Sequence, residues 1–485
     1  MSQPTGNAPV TIFKAGVEDM VLTLVEKSLR KNSLKTEELL GEIPYLCFWL
    51  VENGRARLDL LFQEFLSRED ADIASLFLEA MSRKPEEAKE ALESMAGEKP
   101  PVRYSNQILG LLAKNEKKEQ EAYEYFLKEG EIPEAVWSRK QAVLNRFEAQ
   151  DFETLEKLAT NPAFQDAIPA DIQTELALSR EDWLNALKWV AIDQFSHLKT
   201  GIFILATLGM VIWVVILLQL CQVDRLDKWT PLLCLLGLLL GMASTTPTLL
   251  WGMLEDRYLP ISAGDDFFHN LVYYIATVGV REEVCKLVLF LPLAPILIKR
   301  GNELEYLLVA SLVGLGFAYE ENFTYLSSSM GTGIAGRFLS ANFFHISLTG
   351  MCGLFLCRAF GRHRAYGFNE FLYIFGIAIV AHGVYDAFLI HPPFQDGGIL
   401  AMILFVLFSK YYFQEARALR DVSHYIISLS GTIVFGMSLL LAALLVYLSS
   451  LIGLNQAVQL AVGSFLSSAI ILFMFFREFN ESLSA

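Results

Sequence analysis

The sequence predicts an all-α protein: a polytopic transmembrane helix bundle of about nine spans, preceded by a soluble α-helical domain. Three observations predict it. The 485-residue chain is 53% hydrophobic and 19% charged, with a mean hydropathy of +0.38, too apolar for an average soluble protein. Charge is unevenly spread: residues 1–195 hold 23 Lys and Arg against 35 Asp and Glu, whereas the other 290 residues hold 16 against 19. Apolar runs of membrane-spanning length fall only in that second part. These features exclude a single globular domain, a coiled coil and a disordered chain. They also exclude nucleic acid as a partner, because no basic stripe is present to neutralise phosphates.

Residues 1–195 read as helix after helix. Leu60, Leu61, Phe62, Phe65 and Leu66 form one apolar stripe, and Ile108, Leu109, Leu111 and Leu112 another. Breaks are expected at Gly54, Lys84-Pro85, Pro100-Pro101 and Gly130. The stretch GLLAKNEKKEQEAYEYFLKEG reads as a helical hairpin with Ala122, Tyr123 and Phe126 turned inward. Stacked hairpins make a solenoid or tetratricopeptide-like array, and an irregular bundle fits the pattern equally. No catalytic constellation appears here. The domain is expected to regulate the membrane part or to bind a protein partner.

The six cysteines, Cys47, Cys221, Cys234, Cys285, Cys352 and Cys357, form no CxxC pair and no disulfide framework. The N-terminus lacks a secretory layout, and neither end carries a lipidation motif.

Residues 196–485 are expected to form the membrane domain. A crossing helix needs roughly 20 apolar residues. Nine stretches qualify: 200–221, 229–253, 270–298, 304–326, 335–357, 369–390, 397–414, 427–450 and 456–476. Basic residues follow every second span: Arg225 and Lys228, Lys299 and Arg300, Arg358 with Arg362 and Arg364, Lys410 with Arg417 and Arg420, and Arg477. That face is predicted to be cytoplasmic. The loops 391–396 and 451–455 have no Lys or Arg and are expected to face out. Nine spans ending in the cytoplasm would put residues 1–195 outside, yet no signal peptide is visible to carry them there, so that domain is expected in the cytoplasm.

Charged side chains inside a membrane helix cost about 2.5–3.5 kcal/mol each on insertion scales, which makes them functional candidates. Four consecutive spans contain them. The third has Arg281, Glu282, Glu283 and Lys286; the fourth has Glu320, Glu321 and Asn322 after Phe317; the fifth has His345; the sixth has His382 and Asp386. Counted from the outer end of each span, Glu282 lies about 12 residues in, Glu321 about 5, His345 about 10 and His382 about 8. All therefore fall in one layer, roughly 8–18 Å deep. Singly, each group also fits a salt bridge or a helix–helix hydrogen bond. Four at one depth fit a shared polar site. Lys286 is placed to meet Glu282 at i,i+4 and Glu283 at i,i+3, and His382 to meet Asp386 at i,i+4. His269, His391 and His424 are read as interfacial, His197 and His363 have no assigned role, and Glu320 is an alternative to Glu321.

This set supports two chemistries. Carboxylate–histidine activation of water and a metal-bound water both serve peptide hydrolysis. No GxSxG or HExxH is present, and no second intramembrane Asp stands in a Gly-rich setting. The alternative function class is a transporter or channel that uses the buried Glu, His and Lys residues as an ion or proton path. No inverted repeat is visible to favour it. A degenerate protease that only binds membrane segments is a third class, against which the complete motif set argues.

The order EExxK, FxxxEN, FFH and HxxxD in successive spans resembles the PrsW-type intramembrane proteases, a family related to the CAAX prenyl protease and bacteriocin-immunity superfamily. Glu282, Glu283 and Lys286 match the first motif, Phe317, Glu321 and Asn322 the second, His345 the third, and His382 and Asp386 the fourth. The segment Val223–Pro231 resembles the family's first cytoplasmic loop, so the likeness covers about residues 200–391. It implies hydrolysis of a membrane-anchored protein substrate, such as an anti-sigma-factor-like regulator, within the lipid bilayer of a bacterial inner or plasma membrane. Metal-dependent and glutamate-type mechanisms are both described for such proteins. The roles expected are Glu282, with Glu283, as general base and Lys286 as its tuner. His345 and His382 assist the water, or bind zinc together with Asp386 if a metal is used. Asn322 and His382 stabilise the oxyanion, Asp386 orients His382, and Glu321 fixes the site. The N-terminal domain lies outside the motif-bearing core, and the last three spans are expected to complete the bundle.

Overall fold

A computed structural model of the chain describes residues 21–23, 25–30, 35–50, 52–81, 85–196, 200–222, 227–259, 266–361, 364–390, 398–420 and 428–484. Among these, every regular element is helical. The chain divides into two compact units, Met1–Trp189 and Val190–Ala485. His197, Val223–Leu226 with Arg225, Arg362, His363, the 391–396 loop with His391, and His424 lie outside the described residues.

The first unit has helical residues at 21–23 and 25–30, followed by helices α1 (Thr36–Trp49), α2 (Glu52–Phe65), α3 (Arg68–Ala80) and α4 (Pro85–Ala96). It continues with α5 (Ser105–Asn115), α6 (Glu119–Gly130), α7 (Val136–Glu148), α8 (Phe152–Thr160) and α9 (Ala170–Ser179). Helix α10 (Trp183–Ser196) runs across the boundary. From α2 to α8 each helix packs on the next. The hairpin expected at 110–130 is α5 and α6. Ala122 and Phe126 are fully buried, while Tyr123 is half-buried beneath the Arg146 guanidinium, 4.2 Å from its ring centroid. The first amides of α5 are met by the buried Glu129, whose Oε1 accepts from Tyr104 N at 2.6 Å.

Two local expectations are corrected. Gly54 lies inside α2 rather than at a break. Leu60 is 67% exposed, whereas Leu58 and Phe62 are fully buried. Two helical residues span about 200°, so Leu60 faces away from the side shared by Leu58 and Phe62.

The second unit opens with α11 (Thr200–Leu220) and α12 (Thr230–Tyr258). The third expected span is broken into α13 (Phe267–Tyr273), a π-helical turn at Tyr274–Gly279, α14 (Val280–Phe290) and α15 (Ala294–Arg300). Next come α16 (Glu303–Ser328), α17 (Ile334–Leu339), α18 (Ala341–Phe360) and α19 (Arg364–Ile390). Helices α20 (Gly398–Leu419), α21 (Leu429–Ile452) and α22 (Leu454–Ser484) complete the unit.

Among the described residues, six helical stretches are long and apolar enough to cross a membrane: Gly201–Leu220, Thr230–Tyr258, Ile334–Phe360, Gly367–Leu389, Leu429–Ile452 and Leu454–Phe479. The other three expected spans are helical but differ in kind. The third is interrupted, and α20 ends in the charged Glu415 and Arg417. The fourth, α16, carries Glu303, Glu305, Glu320 and Glu321 and is buried continuously from Leu304 to Glu320. It packs against α12, α18 and α11, so protein surrounds it where lipid would surround a peripheral span.

At one end of the bundle, basic and acidic groups are paired. Arg300 Nε meets Glu305 Oε2 at 2.7 Å, and Arg358 bridges Glu303 at 2.8 Å and Glu415 at 3.1 Å. Arg417 pairs with Glu478 of α22. The last helix also enters the core. Phe475 is fully buried, with ring centroids 5.0 Å from Phe343 and 5.4 Å from Trp213. Because Phe343 lies two residues from His345, α22 packs behind the helix that carries this imidazole.

Candidate active site

The π-helical turn positions the first motif. π-turns inside α-helices are rare and recur at functional sites. Here the turn lies against α19 with no side chain between the two backbones. A Cβ on Gly279 would strike the Ile379 carbonyl, and one on Gly383 would strike Tyr274 and Ile275. This close approach sets Glu283, four residues after Gly279, against His382, one residue before Gly383. Glu283 Oε1 lies 2.7 Å from His382 Nδ1.

Lys286 is fully buried and held at its ammonium by three groups. It meets Glu283 Oε1 at 2.9 Å, Glu282 Oε2 at 3.4 Å and His345 Nδ1 at 2.9 Å. The Phe317 ring lies beneath it, with the centroid 4.0 Å from Nζ. Since an ammonium only donates, Nδ1 of His345 must accept, and Nε2 carries the proton. That proton points at Glu321 Oε2, 3.0 Å away. On the other imidazole, Nδ1 meets Glu283, and the remaining ring nitrogen is Nε2. That atom lies 3.2 Å from Glu282 Oε2 and 3.4 Å from Asp386 Oδ2. The two imidazole rings are 5.0 Å apart and nearly perpendicular.

Seven of the eight expected site residues thus form one connected cluster: Glu282, Glu283, Lys286, Glu321, His345, His382 and Asp386. Glu321, rather than Glu320, reaches His345. Asn322 is tied beside the cluster: its Oδ1 accepts from Arg337 Nε at 2.5 Å and its Nδ2 donates to Asn342 Oδ1 at 3.0 Å. Arg337 also meets Glu321 Oε2 at 2.9 Å. Neither Arg337 nor Asn342 emerged from the motifs. The signal for Arg337 was present, because it is a charged residue within the apolar stretch 335–357, the same criterion that singled out the others.

Among the described residues, one group can hold a metal ion: Glu282, His345 and His382 offer ligand atoms that all lie within 4.8 Å of one another. The sequence expectation paired the two histidines with Asp386 instead. In the structure Asp386 reaches His382, but Glu282 completes the group. The donors fit a catalytic metal ion, with the Lys286 ammonium displaced from the His345 Nδ1 lone pair that it occupies in this structure. Two imidazoles and a carboxylate form a three-ligand set that leaves one position for water. Each imidazole is also oriented from behind by a carboxylate, Glu283 on His382 and Glu321 on His345, the usual arrangement around metal-bound histidine.

The fold and the site together define an integral membrane protein with a buried carboxylate–imidazole centre. Residues 230–411, which contain every group named above, match the family model of the PrsW family intramembrane metalloproteases. This match supports the PrsW family, and the activity that the family implies is intramembrane proteolysis. No curated protein and no solved structure matches the chain.

Proposed function

We propose that the chain hydrolyses a peptide bond of a membrane-anchored protein, at a centre where Glu282, His345 and His382 hold a divalent cation, zinc by the nature of the donors. The observation that carries the reading is the convergence of these three groups from three separate helices into one buried point. A metal bound there would supply a water that ionises near neutral pH and would polarise the scissile carbonyl.

The chain's own residues do the rest. Glu282 Oε2 turns toward His382 and Lys286, and Oε1 is assigned to accept the proton lost by the attacking water. Glu283 fixes the tautomer of His382, and Glu321 that of His345. Lys286 offsets one of the two charges of Glu282 and Glu283, and a bound divalent cation would offset the other, so that both carboxylates can be buried. Asp386, at the more open side of His382, is assigned to orient that ring. Asn322, with both ends of its amide engaged, holds Arg337 and Asn342 in place. The substrate class follows from the location: a segment that reaches a centre buried among membrane helices is itself within or beside the bilayer.

The test is cleavage of a co-expressed single-span reporter by wild type, Glu282→Gln and His345→Ala, with and without a membrane-permeable zinc chelator. Loss of at least about 100-fold in both variants, together with loss in chelator, is expected. Loss in the variants alone would replace the metal with direct carboxylate–histidine activation of water. Cleavage that survives both substitutions would refute the site.

A further inference from the structure

Arg337 belongs to the short helix α17 and to none of the four motifs. Its guanidinium meets three groups of α16 at once. Nη2 donates to Glu321 Oε2 at 2.9 Å, Nε donates to Asn322 Oδ1 at 2.5 Å, and Cζ lies 4.1 Å from the Tyr325 ring centroid. Glu321 Oε2 is also the atom that meets His345 Nε2 at 3.0 Å. Asn322 passes the contact on to Asn342, three residues before His345 on α18. The guanidinium is therefore anchored toward both helices that meet at His345.

Only an arginine satisfies this arrangement. Its rigid planar fork directs two N–H groups to two acceptors at fixed angles, whereas a lysine supplies one flexible point charge. An arginine in an apolar stretch also costs about 2.5–3.5 kcal/mol on insertion scales, which marks it as a functional candidate. Without Arg337, Glu321 keeps only its bond to the imidazole, and the side chain is free to change rotamer. The ring of His345 then loses its fixed axis.

We propose that Arg337 is a positioning residue: by locking Glu321, it fixes the ring of His345 for metal binding. This rests on the metal-centre reading given above. It extends that reading to a residue that touches neither metal nor substrate.

The test measures Zn²⁺ binding by the full-length protein in lipid nanodiscs, by competition with a chelator and without substrate. Arg337→Gln is expected to weaken Zn²⁺ affinity about 10-fold, the lower end of the usual effect of disturbing the outer partner of a metal-bound histidine, because Glu321 itself is kept. Arg337→Lys is expected to fall between Arg337→Gln and wild type. The double variant Arg337→Gln/Glu321→Gln is expected to bind no more weakly than Glu321→Gln alone, because both changes break one chain of contacts.

A purely structural ion pair would behave differently, lowering thermal stability while the folded protein kept its affinity. Zinc affinity of Arg337→Gln within threefold of wild type, with His345→Ala having lost it, would overturn this inference alone. Additive losses in the double variant would overturn it too. Should Arg337→Gln not fold, Arg337→Lys with wild-type affinity would do the same. If His345→Ala bound zinc as wild type does, or wild type took up none, the metal-centre reading would fall and this inference with it.

Discussion

Gly383→Ala tests how the backbone of α19 sets the geometry of the site. The added Cβ would stand 2.4 Å from Ile275 Cα and 2.6 Å from Tyr274 O, whereas ordinary contact begins at 3.4 Å. The π-turn and α19 must therefore separate by about 1.0 Å, the difference between the shortest of these distances and ordinary contact. Both colliding partners are backbone, so no side chain can swing aside. Overpacking of this kind costs about 1–3 kcal/mol of stability. The larger effect falls on the chemistry. The Glu283–His382 bond, now 2.7 Å, would stretch to about 3.7 Å, beyond hydrogen-bonding range. A misplacement near 1 Å costs about 100-fold in rate. Gly376, on the same helix, is the control, since a Cβ there meets nothing within 4 Å. Gly376→Ala is expected to keep full activity and to gain roughly 0.5–1 kcal/mol of helix stability. The assay is reporter cleavage per folded molecule, with thermal unfolding measured in the same detergent. If Gly383→Ala cleaves within threefold of wild type, close backbone contact is not what holds Glu283 to His382.

Two further predictions concern regions outside the cluster. Phe475→Ala should cost about 3–5 kcal/mol, because a fully buried ring is removed from contact with Phe343 and Trp213; an unchanged unfolding midpoint would mean that α22 is not part of the core. In the N-terminal unit, burial raises the Glu129 carboxyl above its ordinary range, although the Tyr104 amide opposes the shift. The folded state then holds its proton more tightly than the unfolded chain does. Stability from this group is complete below the ordinary carboxylate range and declines as pH rises through the elevated folded value. Hydrogen exchange of α5 amides in the full-length protein should therefore quicken across that window, and Glu129→Gln should flatten the dependence. The same slope in both proteins would assign it to another group.

Local chemistry was legible along the chain. The i,i+3 and i,i+4 spacings placed Lys286 with Glu283 and Glu282, and Asp386 with His382, because a helix puts such residues on one face whatever surrounds it. Charges in apolar stretches identified seven members of the cluster by the cost of burying them. The same rule applied to Arg337 would have found it, but attention to the motif-like groupings passed over a lone arginine. Hydropathy identified the helical stretches of the membrane unit, yet it was a poor guide to their surroundings. A buried central helix such as α16 and a lipid-facing span are both long and apolar, and only their neighbours differ.

By itself, the sequence determined an all-helical, membrane-embedded protein and the identities of the acids and imidazoles that would meet. Helical periodicity and the cost of burying charge act residue by residue, so they can be read in one dimension. The tertiary structure alone decided the partners across helices: Glu283 on His382, Glu321 shared by His345 and Arg337, and Glu282 in place of Asp386 beside the two imidazoles. These pairings depend on which faces of α14, α16, α18 and α19 turn toward one another. That choice is made by the π-turn before Glu282 and by the close approach at Gly383, and neither has a signature in residue spacing.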